Sequence, residues 1–566
     1  MRYFTPISIG KASLAGEVVE GVKMVSTRNT LRGPLYCAPR SEPMFSCTAK
    51  DLPSLLEDIR SPLVLVLDPS TRRVGIVRDG DLQIEPRASD ALPVRGILPP
   101  LYPESLGDPG FLETHGLRFP YVGGEMALGI STPAMVIALG QAGMLGFLGT
   151  AALGSEEVER RCREVQKQLD PQRLPWGVNL IHSPQEPQQE ERLANLFLGL
   201  GITRVSISAF MKLTPTIVHY ASKGLARAPD GTITRKHYLF AKISRPEMAE
   251  RFIAPSPDNL LGPLVAQGRL TREEAELAAQ LPVCEDITVE SDSGGHTDFR
   301  PMAPLFSAIA ELRNRSTTGP GFSPPVRLGL AGGLGTPHAV AAAFAMGAAY
   351  VLVGSAHQCA VESGLSDSAR ALLADARISD VAATPAGDMF ELGAKVQVLK
   401  RGVLYASRAR LLGELYQRHE SLDEISARDK TNLEEKIFRA PLDEIWRQTR
   451  KYLEKHDPKR IEYAEKSPRQ RMALVFRWYL GQSPHWAVDG NAERGLDYQI
   501  WMGPAMGAFN AWVKDSFLEV MENRQVAQIG RNLMEGAAVI TRAQQLRVAG
   551  FPIQPDAWRF EPRPLQ

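Results

Sequence analysis

The sequence predicts an α/β protein built around a closed (β/α)₈ barrel, and two observations lead to this fold class. Short apolar segments alternate with helical segments from Arg118 to Ser355. Glycines follow three of the later strands, in Gly294-Gly295-His296, Ala331-Gly-Gly-Leu-Gly and Val353-Gly-Ser. Backbone N–H groups at such strand ends bind phosphate, and in TIM barrels the loops after strands seven and eight form this anion site.

Eight strands are predicted, at Pro120–Val122, Leu145–Leu148, Trp176–Ile181, Arg204–Ser208, Tyr238–Ile243, Ile287–Ser291, Val326–Ala331 and Tyr350–Gly354. The segments between them are amphipathic or rich in small residues, for example Thr132–Gly140, Ser155–Leu169, Glu190–Leu198 and Thr336–Met346. This alternation favours a closed parallel barrel over an open doubly wound sheet. An insertion, Ser244–Glu285, carries an extra helix at Thr271–Gln280 and is expected to form part of a lid.

The segment Leu328–Val361 contains no charged residue and has to be weighed as a membrane span. Pro337 and the clustered glycines interrupt any helix there, and no apolar run reaches the roughly 20 residues that a span needs. A buried parallel strand, its helix and the next strand explain the same composition.

Residues 1–115 are predicted to form a small mixed or β-rich module. Pro62–Leu67 and Arg73–Val77 resemble two strands joined by a turn at Asp68, and proline-rich sequence over 98–110 marks the exit. The barrel is assigned to residues 116–385 and a helical region to residues 386–566. Strands are expected to stop after about Ser355.

Composition excludes several classes of protein. The chain has 566 residues, 44% of them hydrophobic and 23% charged, with a net charge of +1, so no global charge steers it toward nucleic acid. Met1–Glu17 lacks the apolar core of a signal peptide, which predicts a cytoplasmic location without a membrane anchor. The five cysteines are scattered and show no Cys-x-x-Cys spacing, which argues against disulfides and structural zinc and favours buried thiols.

Candidate site residues lie at the predicted carboxyl ends of the strands. Gly124 and Met126 follow strand one among small residues that would let a planar ring approach the backbone. Strand three ends near Asn179 and strand five ends near Lys242, where an amide and an ammonium could face a heteroaromatic ring or a phosphate. Each residue alone could equally serve packing. Together with two glycine loops, they favour a phosphorylated planar cofactor, and FMN is the natural candidate.

His296 is the residue of this pattern that most clearly suits a catalytic acid or base. An isolated loop histidine is usually structural or merely exposed. After Gly294 and Gly295, however, it could approach a ligand, and its ordinary pKa of about 6.5 suits proton transfer near neutrality. We find no Gly-x-Ser-x-Gly nucleophile elbow and no His/Glu metal motif in the sequence.

Five longer motifs stand out, namely residues 286–298, Ala331-Gly-Gly-Leu-Gly-Thr-Pro, Gly387-Asp-Met-Phe-Glu-Leu-Gly-Ala-Lys-Val-Gln-Val-Leu, Arg477-Trp-Tyr-Leu-Gly and residues 497–510. Together they resemble the PfaD family of trans-acting enoyl reductases, which serve polyketide and polyunsaturated fatty acid synthases and are distantly related to nitronate monooxygenases. The resemblance extends from about Leu98 to Pro552. One departure, Ala383-Thr-Pro-Ala-Gly, lies outside the cofactor motifs.

The resemblance implies an FMN-dependent reductase that takes hydride from NADPH and reduces an α,β-unsaturated thioester on an acyl carrier protein. In that family, His296 would stand beside the flavin ring. The residues expected to line the FMN site are Met126, Asn179, Lys242, Gly332, Gly333, Gly335, Gly354 and Ser355. Gly124, Gly294 and Gly295 complete the predicted site.

The sequence alone leaves other functional hypotheses open. A nitronate monooxygenase would use the same barrel with oxygen, and a non-catalytic interaction component of a synthase could keep the barrel as a scaffold. An isomerase or desaturase without net reduction, and a homodimer, are also left open. The segment Arg447–Arg471 holds nine Lys/Arg against four Asp/Glu, which suits either a solvated face or a docking surface for an acidic carrier protein.

Overall fold

The computed structural model describes residues 34–46, 51–182, 187–316 and 326–566. They divide into two compact units. The first contains the described residues up to Tyr102 together with Ala538–Phe560, and the second contains Pro103–Ala537 and Glu561–Gln566. The domain boundaries expected after residues 115 and 385 stay predictions.

The strands of the described residues are β1 Tyr36–Pro39, β2 Leu63–Leu67, β3 Val74–Val77, β4 Gly80–Gln83, β5 Leu92–Leu98, β6 Tyr121–Gly123, β7 Leu145–Leu148, β8 Gly177–Ile181, β9 Arg204–Ser208, β10 Ala226–Arg227, β11 Ile233–Thr234, β12 Tyr238–Ile243, β13 Asp286–Glu290, β14 Gly295–His296, β15 Arg327–Ala331, β16 Val351–Val353, β17 Val381–Pro385 and β18 Lys395–Leu399.

The α-helices are α1 Asp51–Glu57, α2 Pro109–His115, α3 Pro133–Gln141, α4 Ser155–Leu169, α5 Pro187–Gly199, α6 Pro215–Ser222, α7 Pro246–Ile253, α8 Asp258–Ala266, α9 Arg272–Ala278, α10 Met302–Ser316, α11 Pro337–Ala345, α12 Asp367–Ala374, α13 Tyr405–Arg418, α14 Ala427–Asn432, α15 Leu442–His456, α16 Pro458–Lys466, α17 Pro468–Asp489, α18 Pro504–Val513 and α19 Val526–Val548. None of these helices is both long and apolar enough to cross a bilayer.

Eight parallel strands close into a barrel in the order β12, β13, β15, β16, β6, β7, β8, β9. Each begins and ends within two residues of the strand predicted from the sequence. The predicted (β/α)₈ barrel is therefore confirmed. The strands are rich in apolar residues and are buried along nearly their whole length, because helices cover the outside of the barrel while side chains fill its inside.

Helix α2 covers the N-terminal end of the barrel. The ring of Phe111 stacks on Tyr350, with the centroids 4.3 Å apart, and packs edge-on against Phe240. The last residue of the helix, His115, points its Nε2 at the Asp286 carboxylate over 2.9 Å. Arg327 donates to both oxygens of the same carboxylate, over 2.7 and 2.8 Å. Packed aromatic rings and the hydrogen-bonded group of His115, Asp286 and Arg327 therefore close this end of the barrel.

The first unit contains a five-stranded antiparallel sheet in the order β3, β2, β5, β1, β4. Strands β2 and β3 form the predicted hairpin, and the Asp68 carboxylate accepts hydrogen bonds from the backbone N–H groups of Ser70 and Thr71 in its turn. Cys37, Val64 and Val77 form part of the small core. The expectation of a β-rich N-terminal module is confirmed.

The insertion between the fifth and sixth barrel strands folds into α7, α8 and α9. Leu261, Leu264 and Leu277 pack with Val218 of α6 in one apolar cluster. Among the insertion's residues, Ser244, Arg245 and Met248 line the large cavity described below. Most of the insertion thus forms its own core beside α6, and the lid role stays a prediction.

Strands do not stop after Ser355, and this expectation was wrong. Strands β17 and β18 pair antiparallel, and β18 also pairs with β14. The signal was present in Lys395-Val-Gln-Val-Leu, in which polar residues alternate with β-branched valines, but such a short segment is ambiguous without its partner strand. The remaining C-terminal region is helical, as expected.

The described cysteines, Cys37, Cys162, Cys284 and Cys359, are free and buried. Burial raises the pKa of each thiol. They are therefore inert thiols of the core, in line with the sequence. Cys47 lies outside the described residues.

Candidate active site

A cavity of about 2370 Å³ opens at the carboxyl ends of the barrel strands. Every predicted site residue except Gly335 lines it, namely Gly124, Met126, Asn179, Lys242, Gly294, Gly295, His296, Gly332, Gly333, Gly354 and Ser355. Ligand sites of proteins usually measure roughly 300–1,000 Å³. The cavity thus has room for more than one small ligand.

Two glycines turn the chain sharply after β15. Gly332 and Gly333 have φ angles of +88° and +72°, a region in which residues with a Cβ are strained. A Cβ at Gly332 would lie 2.5 Å from the Oγ of Ser291, whereas one at Gly333 would meet no protein atom within 4 Å. The backbone at Gly333 therefore borders open cavity space. It fits the predicted phosphate cradle, and its role as a ligand stays a prediction.

Two other predicted glycines serve close packing between chain segments. A Cβ at Gly335 would come within 2.0 Å of the carbonyl oxygen of Ala505, at the start of α18. One at Gly294 would lie 3.0 Å from the backbone nitrogen of Gly503, although Gly294 also lines the cavity. Gly335 thus lies behind the rim, and a packing role accounts for it.

The loop after β6 is folded back by one serine. The Oγ of Ser131 donates to the carbonyl oxygen of Gly124 over 2.6 Å and accepts from the backbone N–H of Met126 over 2.9 Å. At the rim of β8, the Asn179 amide donates to the Ser206 carbonyl and the Ser208 hydroxyl, each over 3.1 Å. These bonds leave the Asn179 Oδ1 as the side-chain atom available to a ligand donor.

Lys242 lies between two carboxylates that the sequence analysis did not single out. Its Nζ is 3.0 Å from Glu290 Oε1 and 3.2 Å from Glu125 Oε1. Burial alone would lower the pKa of Lys242, but the two carboxylates outweigh burial and raise that pKa above its usual value. The lysine is therefore a fixed cation. Besides this ion pair, the buried Glu125 carboxylate accepts no hydrogen bond from the described residues.

His296 belongs to β14, and its partner comes from far along the chain. Its Nε2 lies 3.0 Å from Oδ1 of Asp388, which follows β17. Burial lowers the pKa of His296, but the hydrogen bond and charge of Asp388, helped by Glu290, outweigh burial and raise that pKa. Its side chain is 38% exposed, and this surface faces the cavity. The raised pKa favours the imidazolium form of His296, which is the form that can donate a proton.

The far wall of the cavity comes from the C-terminal helical region. Tyr452 and His456 of α15 and Lys459 and Arg460 of α16 line it. The predicted basic segment Arg447–Arg471 thus borders the same cavity as the barrel rim. Several of its arginines are paired internally, for example Arg450 with Glu454 and Glu465 and Arg460 with Asp457. Lys451, Lys455, Lys459 and Lys466 form no ion pair with the described residues.

Comparison with known proteins identifies the family to which this chain belongs. The crystal structure of the enoyl reductase domain of MlnA, from the macrolactin biosynthesis cluster of Bacillus amyloliquefaciens, superimposes with a TM-score of 0.75 at 34% sequence identity. The match covers 79% of this chain and 99% of that domain. The chain belongs to the PfaD-like enoyl reductases. The predicted resemblance is therefore confirmed.

Curated relatives of this PfaD-like chain extend well beyond the part that matches it. The polyketide biosynthesis protein PksE of Bacillus subtilis is 43% identical over 77% of this chain and 56% of its own length. A component of the polyunsaturated fatty acid synthase of a Thraustochytrium species is 40% identical over 90% of this chain and 34% of its own length. The chain thus spans about a third to a half of these relatives.

A family model matches one part of the helical region. Residues 419–498 match the inserted helical domain of acyl-carrier-protein S-malonyltransferase. This range contains the whole basic segment and all of α15, α16 and α17. The helical wall of the cavity in this PfaD-like chain therefore resembles a module found elsewhere in an acyltransferase.

Proposed function

We propose that this protein is an FMN-dependent, NADPH-driven enoyl reductase. It acts in trans on α,β-unsaturated thioesters held by an acyl carrier protein, in polyketide or polyunsaturated fatty acid biosynthesis. The observation that carries the proposal is the match to an enoyl reductase domain, because it covers almost the whole of that domain. The geometry of His296 and the glycine turn at Gly333 supports it.

The residues present fit a flavin mononucleotide. The turn at Gly332 and Gly333 and the strand end at Gly354 leave open space where a phosphate would lie. Asn179 and Lys242 would hold the ring, since they offer a buried acceptor and a fixed cation. A bound flavin supplies the hydride that adds to the β-carbon of the enoyl thioester. FMN is favoured over FAD because the sequence has no second glycine fingerprint for an adenylate.

The chain's own residues then handle the substrate and its proton. His296, on the cavity wall, donates a proton to the α-carbon, while the Lys242 cation lies nearby. The cavity volume leaves room for an acyl chain beside a cofactor. Most of the catalysis then rests on orientation and on stabilising the charge of the enolate-like transition state.

The proposed partner is an acidic acyl carrier protein that docks on the basic segment Arg447–Arg471. This segment borders the cavity, carries lysines that form no ion pair with the described residues, and lies within the range that resembles a domain of an acyl-carrier-protein transferase. Charge complementarity of this kind mainly raises the rate of encounter. The cytoplasmic location stays a prediction, and so does the possible homodimer.

Cofactor analysis and turnover test the proposal together. We expect mass spectrometry of the cofactor released after anaerobic purification to give FMN. NADPH should be oxidised with a crotonyl carrier protein and not with a nitronate plus oxygen. Release of FAD, absence of flavin, or activity on the nitronate alone would contradict the assignment.

A glycine variant tests the cradle itself. Gly333→Val should abolish flavin binding, because its side chain would enter the cavity and its positive φ adds about 1–2 kcal/mol of strain. Gly347→Val is a matched control. Gly347 has a φ of +94° and open space around it, but it does not line the cavity. Equal flavin loss in both variants would show that strain alone is responsible.

A further inference from the structure

Asp388 is the carboxylate whose hydrogen bond and charge raise the pKa of His296. It lies in the motif Gly387-Asp-Met-Phe, between β17 and β18, outside the barrel. We propose that Asp388 is a positioning residue for His296, fixing the tautomer and orientation of the imidazole so that Nδ1 delivers the proton. This inference rests on the proposed enoyl reductase function.

The hydrogen bond determines the tautomer. An ionised carboxylate only accepts, so the Nε2 that lies 3.0 Å from Asp388 must carry the hydrogen. Nδ1 accepts no hydrogen bond from the described residues. In the imidazolium form it is therefore the ring nitrogen whose proton is free for a substrate. Without Asp388, the neutral ring could adopt either tautomer and could rotate about its side-chain bonds.

A single sheet holds both partners. His296 pairs with Val396 of β18, and Pro385 of β17 pairs with Lys395. The loop between β17 and β18 is anchored again at Glu391, which accepts two hydrogen bonds of 2.7 Å from Arg477 of α17. The sheet and this anchor therefore fix the position of Asp388 relative to the imidazole, as a positioning residue requires.

The charged groups that act on His296 come from three elements. Asp388 lies on the β17–β18 loop, Glu290 is the last residue of β13, and Lys242 is the residue before the last in β12. Asp388 makes the direct hydrogen bond, and Glu290 is itself paired with Lys242. Removing the Asp388 charge should therefore lower the pKa of His296. The pH range in which His296 is protonated and can donate a proton should then be narrower.

A bound reduced flavin would supply the hydride for the β-carbon, and the electron pair of the substrate double bond would take up a proton at the α-carbon. The Nδ1–H bond of the imidazolium breaks, its electron pair stays on nitrogen, and the neutral ring keeps Nε2–H toward Asp388. Solvent then returns a proton to Nδ1.

The test compares Asp388→Asn with the wild type by two readouts. Histidine ring NMR of the full protein, assigned with His296→Ala, should show a lower His296 pKa in the variant. The basic limb of the pH profile of enoyl turnover should move to lower pH by about one unit, which lowers turnover roughly tenfold at pH 9 and little at pH 6. An unchanged His296 pKa would overturn the proposal.

Two further variants separate electrostatics from structure. Glu391→Gln removes the charge of this anchor but keeps an amide oxygen that can accept a hydrogen bond from Arg477. The variant should therefore lower the melting temperature while the sheet still holds Asp388 in place, so the His296 pKa and the pH profile should stay near their wild-type values. Asp388→Glu should restore part of the shift because it restores the charge. An equal loss in Asp388→Asn at every pH, or the same pKa change in Glu391→Gln, would mean a merely structural role.

The two readouts also distinguish this proposal from the function on which it rests. If the wild type reduces no enoyl thioester, the proposed function fails and delivery of the proton to a substrate fails with it. The NMR titration would still report the pairing of Asp388 with His296 in that case. If the wild type is active and the titration is unchanged, only the role of Asp388 is wrong.

Discussion

The two ends of the barrel each contain a histidine paired with an aspartate, at almost the same distance. His115 lies 2.9 Å from Asp286 at the N-terminal end, and His296 lies 3.0 Å from Asp388 at the carboxyl end. The side chains of the first pair are 0% exposed, whereas those of the second are 38% and 53% exposed. Equal distances accompany very different environments.

The surroundings of the two pairs shift the pKa values of their histidines in opposite directions. Burial lowers the pKa of His115 and outweighs the attraction of Asp286, and Arg204 and Arg327 lower it further. Arg204 also donates to the His115 Nδ1 over 3.2 Å, so both ring nitrogens are used and the ring stays neutral. The pKa of His296 is instead raised. A histidine–aspartate pair thus stabilises the fold where arginines enclose it, and the proposed acid is the pair in which one ring nitrogen faces a cavity.

The largest expected effect is on turnover at the open end. His296→Ala should lower enoyl turnover about 10²–10⁴-fold, the usual contribution of a positioned acid or base. Flavin content and NADPH-driven flavin reduction should stay nearly normal, since no predicted cradle residue changes. Stopped-flow measurement of the two half-reactions checks this, and full enoyl turnover in the variant would show that water or another residue donates the proton.

The next effect is on stability at the closed end. Asp286→Asn should destabilise the fold by about 3–5 kcal/mol, because it leaves a buried arginine without its partner. Asp388→Asn should lose only about 0.5–1.5 kcal/mol, the net value of one hydrogen bond. Urea unfolding at pH 7 compares the two variants, and similar losses would contradict the contrast between the ends.

The pairs should also respond to pH with opposite signs. The folded pKa of His115 is lowered, so its contribution to stability is present above its ordinary pKa of about 6.5 and is lost as pH falls. The folded pKa of His296 is raised, so its contribution is present below about 6.5 and is lost as pH rises. Melting temperatures measured from pH 5 to pH 8 check this. The loss relative to wild type should grow as pH rises for His115→Asn and as pH falls for His296→Asn.

The smallest effect concerns charge around the open end. Reversing Lys451, Lys455 and Lys459 to Glu should raise KM for a carrier-bound enoyl substrate several-fold, with little effect on a pantetheine mimic, and high salt should shrink the difference. These lysines suit the test better than Arg450 and Arg460, whose reversal would break internal ion pairs.

A control for this experiment reverses three exposed lysines elsewhere in the second unit, Lys167, Lys400 and Lys514. None of them lines the cavity. KM for the carrier-bound substrate should stay near the wild-type value in this variant. Equal losses on both substrates in the first variant would indicate structural damage, and no loss would return the segment to a solvated face.

The sequence by itself determined the barrel and most of its rim. Apolar strands and amphipathic helices have local periodicities, so all eight strands could be located before any contact was known. Glycines such as Gly333 were recognisable for a similar reason, because a tight turn at a strand end needs a residue without a side chain. His296 was singled out from its glycine neighbours alone.

Only the tertiary structure decided which groups surround those residues. Asp388 lies 92 residues from His296 in the chain, and Glu125 and Glu290 reach Lys242 from two other strand ends. Gly335 was assigned to the rim, yet its Cα faces Ala505, 170 positions away. Partners so far apart leave no local pattern, because they meet only when the barrel closes and the β17–β18 sheet folds over it. The same closure decides which histidine is sealed and which one faces the cavity.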